Sequence, residues 1–308
     1  MNIYTDINSL PQFANAVITT GSFDGVHSGH VQIIEQLIKE AKAVNGTPVI
    51  ITFYPHPKQI VQIPGKPLSV LNTPAEKYDL LQSKGIENIV VVPFDKAFSE
   101  LTADEYIRKF IMEKFHPAAV VVGYDHRFGN NREGNFELLE TAGAENNFDV
   151  HEIPEHVVQH ATISSTGIRK ALLAGDIEKA ESFLGYPYFF SGLVIEGNKL
   201  GRTIGYPTAN LQIKDEHKLI PANGVYAVDV RLGDRQLKGM MNIGVRPTVG
   251  GTHRLIEVNI FDFDEDIYGQ MLKVTLKKHL RNEIKFAGLE ELKAQLGKDR
   301  EEAEGFNI

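Results

Sequence analysis

Apolar positions in the first half of the chain follow two rhythms. Short unbroken runs such as "AVITT", residues 16–20, and "TPVIITF", residues 47–53, read as buried strands. Between them Ile33, Ile34, Leu37, Ile38 and Ala41 recur at helical spacing and mark one face of a helix running from Val31. "TPAEKYDLLQSKG" predicts a helix opened by Thr73 and Pro74 and stopped near Gly85. Two more apolar runs, "IENIVVVPF" and "PAAVVVG", flank the helical stretch "TADEYIRKFIMEKF". Unbroken Val/Ile runs belong to strands covered on both faces, so the pattern predicts an α/β domain with a parallel sheet between helices. Another strand fits near Val150. "TGIRKALLAGDIEKAESFLG" then reads as two short helices, with Gly175 ending the first and Asp176 capping the second.

After "LGYPYFF" the rhythm changes. "FFSGLVIEG", "GVYAVDVRLG", "QLKGMMNIG", "RLIEVNIFDFD" and "GQMLKVTLKKHLR" are strand-like pieces separated by Gly, Asn and Asp. In "VYAVDVRL", Tyr226, Val228, Val230 and Leu232 alternate with Val225, Ala227, Asp229 and Arg231, as antiparallel strands with two unlike faces would. Several such strands in about 100 residues imply a small barrel or sandwich. A helix, "GLEELKAQLGKDREEAE", closes the pattern. The division is expected near Gly185 to Tyr188, giving domains 1–185 and 186–308.

At 308 residues there is room for two ordinary domains or one large one. With no cysteine, disulfides, thiolate zinc sites and thiol nucleophiles are excluded. A formal net charge of -8 argues against a large nucleic-acid footprint but leaves room for a local anion site. "MNIYTDINSLPQFANAV" has no basic segment before an apolar core, and no apolar run approaches the roughly 20 residues that span a membrane. The expectation is a cytoplasmic protein without membrane partners.

The chemistry concentrates in "TTGSFDGVHSGH", residues 19–30, where a predicted strand hands over to a helix. Backbone N–H groups and the helix dipole favour phosphate at such a turn. Gly21, Gly25 and Gly29 let the backbone approach closely. His27 and His30 share a face if the first helical turn begins there, and two imidazoles can stabilise charge gathering on a phosphoryl group. A single loop histidine is usually polar surface; the pair in this setting carries more. "SSTGIR" puts the hydroxyls of Ser164, Ser165 and Thr166 before a helix and Arg169 one turn inside it. Alone, that segment would be an ordinary N-cap.

"HSGH" matches the HxGH signature of the nucleotidylyltransferase superfamily, and "GSFDGVHSGH", including Phe23 and Asp24, resembles its flavin-adenylylating branch. The resemblance implies a Rossmann-like domain and direct transfer, in which a phosphate attacks the α-phosphate of ATP and pyrophosphate leaves. It also makes "SSTGIR" the second phosphate-binding motif. "VVGYDHRFG" is similar to the family's GxDFxFG stretch, so Asp125 becomes a candidate for the adenosine end of ATP, with His126 where Phe is usual. "FYPHP", residues 53–57, matches as well.

The second half has its own signature. "GNKLGRTIGYPTAN", residues 197–210, contains Gly201, Gly205 and Pro207 but no Walker-type GK[ST]. If the end of it is extended, Thr208 and Asn210 lie on one side and could reach one hard cation or its phosphate. In "LIEVNIF", Ile256, Val258 and Ile260 share a face, leaving Glu257 and Asn259 on the other. A carboxylate there could accept the proton of an attacking hydroxyl. "GRTIGYPTAN", "GVYAV", "NIGVRPT", "EVNIFDFDEDIYG" and "LRNEIKF" are similar, in this order, to bacterial riboflavin kinase domains. That resemblance implies a six-stranded antiparallel barrel, Mg-ATP held by Thr208 and Asn210, and Glu257 as general base. Tyr206 and Asn259, where the family commonly has Phe and His, are expected away from the cation site. Arg281 reads either as structural or as flavin-facing.

The combined resemblance runs from about Ala16 to Phe286 and points to the bacterial bifunctional riboflavin kinase/FMN adenylyltransferases, or FAD synthetases. It implies ATP, riboflavin and FMN as substrates, FAD as product and Mg²⁺ in both steps. Adenylyl transfer would then rest on positioning and charge stabilisation by His27, His30 and Arg169. Two other readings stand beside it. A class I aminoacyl-tRNA synthetase also carries HxGH, but the chain has no KMSKS-like segment and its second domain is small and β-rich. A flavin-binding regulator could keep the fold and lose one or both activities; intact His27, His30, Thr208, Asn210 and Glu257 speak against it.

Overall fold

Six parallel strands carry the first unit: β1 (Asn2–Tyr4), β2 (Val17–Thr20), β3 (Pro48–Tyr54), β4 (Asn88–Pro93), β5 (Ala119–Gly123) and β6 (Asp149–Ile153). The structure is a computed structural model that describes residues 1–61, 68–154, 163–197, 200–248 and 251–306, without the side chains of 246–248 and 251–253. The sheet order is β1-β4-β3-β2-β5-β6. Successive residues of each run enter opposite cores: Ile18, Val49, Ile51, Val90, Val92, Val120 and Val122 one, Val17, Ile50, Ile89, Val91, Ala119 and Val121 the other. Burial on both faces is the reason these runs show no alternation. The chain runs outward from β2 through β3 to β4 and then returns to β5, on the other side of β2. The C-terminal ends of β2 and β5 therefore flank a topological switch point, where open α/β sheets bind ligands.

The helix Ser28–Ala43 begins three residues before its apolar rhythm, because Ser28, Gly29 and His30 form its first turn. Thr73 caps the helix Pro74–Ser83 in a reciprocal box with Glu76. The stretch predicted as one helix before β5 contains a π-helical segment, Tyr106–Met112, which turns Tyr106, Ile107, Phe110 and Ile111 inward.

By packing, the chain divides into Met1–Ser165 and Thr166–Ile308. The second unit opens with the two expected short helices, Ser165–Leu173 and Ile177–Leu184; the Asp176 side chain accepts from the Lys179 N–H at 3.1 Å. The first is tied to the β structure by the Ala222 N–H, which donates to the Leu172 carbonyl at 3.0 Å. Six antiparallel strands follow: β7 (Phe189–Ile195), β8 (Ala209–Gln212), β9 (Gly224–Leu232), β10 (Arg235–Thr248), β11 (Gly251–Ile260) and β12 (Met271–Arg281). They close as β10-β11-β8-β7-β12-β9, the expected six-stranded barrel.

The predicted two-faced alternation of β9 holds only in its second half. Val225, Tyr226, Ala227 and Val228 are all buried, because the helix Leu289–Glu304 covers the outer surface and Ala303 packs with Ala227, Met240 and Phe261. Arg281 anchors that helix with a two-pronged pair to buried Asp299, its Nε 2.9 Å and its Nη2 2.7 Å from the carboxylate. Of the two readings of Arg281, this geometry supports the structural one.

Candidate active sites

The first site grows from the end of β2. Gly21 continues the strand far enough to donate its N–H to the Ile51 carbonyl at 3.0 Å. The chain then turns through left-handed conformations at Phe23 (φ 47°), Gly25 (φ 91°) and Val26 (φ 36°). Glycine accepts such angles freely; a β-branched valine rarely does. Phe23 and Val26 stay there because both side chains are buried in the core beneath the turn. The turn is held open by Asp24, whose buried carboxylate accepts the Leu71 and Asn72 N–H groups at 2.8 and 3.4 Å.

His27 occupies the N-cap position in extended geometry, and its side chain makes no capping bond. Its ring instead stacks on His30, with centroids 3.7 Å apart and planes 15° from parallel. Phe23 lies against the other imidazole at 5.0 Å. Burial, and then the neighbouring His27 and Lys77, hold the His30 pKa well below its ordinary 6.5. At neutral pH the His30 imidazole is therefore uncharged and offers one N–H as a donor. Gly29 is buried inside the same helical turn.

Ser165 reaches this turn: its hydroxyl donates to the Asp24 carbonyl at 2.9 Å. Ser164 precedes it and is exposed. Thr166, exposed, and Arg169, half-buried, sit on the helix Ser165–Leu173 and belong to the second packing unit. Asp125 is exposed just beyond the end of β5, beside Gly123, where a methyl group would come within 3.6 Å of its Oδ1. The His126 ring packs 5.7 Å from Phe128, and burial pushes its pKa down to about 4.

Two supports of this site were not singled out in the sequence. The Tyr106 hydroxyl donates to Thr20 Oγ1 at 3.0 Å and so fixes the last residue of β2. Lys77, buried on the helix Pro74–Ser83, donates to the Ser22 carbonyl at 3.2 Å and to Thr52 Oγ1 at 2.9 Å. Lysine among the apolar positions of a helix is the only signal the sequence offers for it.

The second site lies where β8 meets β11. Their pairing is short, and it sets Asn210 directly across from Glu257. On the next strand Asn242 faces Glu257 in turn. Cross-strand partners point to the same side, so three polar side chains form a row across β8, β11 and β10. Gly197 and Gly201 fit closely beside this row. A Cβ on Gly197 would collide with the Asn210 amide, and one on Gly201 with the Tyr206 carbonyl, 3.6 Å from Thr208 Oγ1. Gly201 also accepts the Tyr206 N–H at 2.8 Å, and Gly205 completes the turn at φ 85°. Asn259 holds the backbone beside this row: its amide donates to the Pro207 carbonyl at 2.7 Å, one residue before Thr208. Tyr206 does pack elsewhere, against the cluster under the C-terminal helix.

Residues 10–167 match the family model described as FAD synthetase, and residues 184–306 match riboflavin kinase. The bifunctional riboflavin kinase/FMN adenylyltransferase of Escherichia coli (strain K12) is 39% identical over 309 residues, spanning 99% of this chain and 98% of its own length. The chain belongs to the bifunctional riboflavin kinase/FMN adenylyltransferase family. The family's Listeria monocytogenes member is 36% identical over 304 residues, covering 98% of this chain and 94% of its own. A solved structure from Streptococcus pneumoniae, described as a macrolide-efflux protein, superposes with a TM-score of 0.90 at 33% identity, with 99% of each chain covered. Among the described residues of this chain, no helix is long and apolar enough to cross a membrane. Both halves of the family's architecture are present, and the chain is an enzyme with an FAD synthetase domain and a riboflavin kinase domain.

Proposed function

We propose that the chain makes FAD in two ATP-dependent steps on two separate sites. The single observation that supports this reading is that each matched domain gathers polar groups of the kind its transfer needs. In one, the two imidazoles stack on the glycine-bearing turn after β2; in the other, a carboxylate stands across from Asn210.

In the barrel, Glu257 accepts the proton of the riboflavin ribityl hydroxyl as that oxygen attacks the γ-phosphorus of ATP, giving FMN and ADP. Thr208 and Asn210 supply neutral oxygen donors, a donor set suited to Mg²⁺ shared with substrate phosphates, and Gly197 packs directly against the Asn210 amide where any larger residue would displace it. Bound there, Mg²⁺ would offset charge on the phosphate oxygens. Gly201, Gly205 and Pro207 shape the loop that presents Thr208.

In the parallel-sheet domain an FMN phosphate oxygen attacks the α-phosphorus of ATP, and pyrophosphate leaves with the electrons of the broken bond. No residue forms a covalent intermediate. His27 and His30 donate N–H groups to the phosphoryl oxygens, while Gly21, Phe23, Asp24, Gly25 and Gly29 shape the turn. Ser164, Ser165, Thr166 and Arg169 bind the outer phosphates, and Asp125 meets the adenosine end. We place the functional boundary after Gly185, giving 1–185 and 186–308, since "SSTGIR" serves the first reaction. The working place is the cytoplasm, and the partners are small molecules rather than nucleic acid, in keeping with a net charge of -8.

A retained fold without turnover would require one of these groups to be disabled, and both remain in place. The pair of variants His30→Ala and Glu257→Ala tests the assignment. The first should abolish FAD formation from FMN and spare FMN formation from riboflavin; the second should do the reverse. Normal FAD formation by His30→Ala would remove the turn from the mechanism.

A further inference from the structure

Beneath the histidine turn lies a cation that the two reactions, as described, do not use. Lys77 is only 8% exposed. Its ammonium donates to the Ser22 carbonyl at 3.2 Å and to Thr52 Oγ1 at 2.9 Å. Thr52 in turn donates to the same Ser22 carbonyl at 3.2 Å. Ser22 begins the turn, and Thr52 lies on β3 next to β2, so one ammonium ties the start of the turn to the sheet.

We propose that Lys77 is a positioning residue for adenylyl transfer, fixing the turn at Ser22 and setting a buried positive charge behind His27 and His30. The proposal rests on the reading of this turn as the adenylyl-transfer site. Burying a lysine is costly unless its charge is compensated or used. Compensation here comes from Asp24, also buried and also part of the turn, whose charge acts against the burial that lowers the Lys77 pKa to about 8. Asp24 also accepts the Leu71 and Asn72 N–H groups, which fix its carboxylate, and with it the charge that faces Lys77, within the turn. The positive field falls on the imidazole pair, where it contributes to keeping His30 uncharged. A neutral imidazole and a nearby fixed cation together favour the extra negative charge that a phosphoryl group gathers during displacement. The other groups around Lys77 do not replace it. Glu76 is engaged by the Thr73 N–H, and the Tyr78 ring lies 5.9 Å from the ammonium with its hydroxyl kept protonated by burial.

Lys77→Gln can keep a donor at Ser22 but removes the charge, while Lys77→Met removes both. Both should lower kcat for FAD formation from FMN by about tenfold or more, with KM for FMN changed far less. Circular dichroism and thermal melting serve as the folding control for the parallel-sheet unit, while riboflavin phosphorylation reports on the barrel alone. Lys77→Arg should recover part of the lost rate. In the unmodified enzyme, FAD formation should also fall on an alkaline limb near pH 8 that riboflavin phosphorylation lacks, and Lys77→Arg should remove that limb. The alkaline limb decides the matter even where Lys77→Met fails to fold. FAD formation by Lys77→Gln within about twofold of normal, or an identical alkaline limb in Lys77→Arg, overturns the proposal. If His30→Ala abolishes FAD formation while Lys77→Gln does not, only the role of Lys77 falls. If His30→Ala is active, the reading beneath it falls as well.

Discussion

Glu257 and Asn210 face each other across the two-residue pairing of β11 with β8, and that register places the proposed base beside the proposed phosphate-side ligand. A one-residue slip of either strand would turn its member of the pair to the opposite face and part the two. Asn259 guards against it by holding Pro207. Asn210→Ala should therefore lower riboflavin phosphorylation about tenfold to a hundredfold, with FAD formation from supplied FMN unchanged. Asn259→Leu should chiefly raise KM for ATP. Steady-state kinetics of the two half-reactions distinguish these outcomes.

Gly25 is held at φ 91° in the middle of the histidine turn. Any L side chain there is strained, so Gly25→Ala should cost about 1–2 kcal/mol locally. The expected signature is loss of FAD formation with little change in FMN formation, read by product chromatography. Equal activity in both reactions would mean that the turn relaxes without consequence.

Much of the first fold is legible in its apolar runs, because a strand buried on both faces must be apolar throughout. The glycine-rich turn and "SSTGIR" are legible for a different reason: the phosphate binding proposed for them needs particular residues close together in sequence. What escaped notice is nonlocal. Lys77 looks like any helical lysine until Thr52, Ser22 and Asp24 surround it. Asn259 looks like an outward strand residue until the barrel closes over Pro207. In β9 the simple alternation fails at Val225 and Ala227 because a helix more than fifty residues later covers them, as Ala303 packing on Ala227 shows. The short β1, largely exposed along its length at the sheet edge, has too few apolar residues to announce itself.

Asp299 is 3% exposed and carries the pair with Arg281, supported by the Gln295 amide at 2.8 Å. Asp299→Ala would leave a half-buried guanidinium without its partner. The expected loss is about 2–4 kcal/mol for the barrel unit, read by urea denaturation followed through riboflavin phosphorylation. Loss of less than about 0.5 kcal/mol would show that the pair is merely a surface contact.

Acid should destabilise the fold through its buried imidazoles. His30 and His126 have folded pKa values below 6.5, that of His126 at about 4, in both cases chiefly because burial disfavours the charged ring. The unfolded chain binds these protons first, so stability falls as pH drops below 6.5, by at most about 1.4 kcal/mol per pH unit for each ring. Above that pH neither ring contributes a slope. Lys77 acts at the other end: between about 8 and 10.5 the unfolded chain holds more protons, and relative stability rises with pH. His126→Phe should flatten the acid limb, checked by denaturation midpoints at about pH 5 and about pH 8. An unchanged acid limb in that variant would contradict a buried, neutral His126.

The central claim is that one chain carries out both steps on separate sites. Its most direct test is a chromatographic time course of the purified protein with riboflavin, ATP and Mg²⁺. FMN should appear first, pass through a maximum and give way to FAD, with ADP and pyrophosphate formed in step. Riboflavin that binds but yields neither FMN nor FAD, in oxidised or reduced form, would contradict the account and leave a flavin-binding protein without turnover.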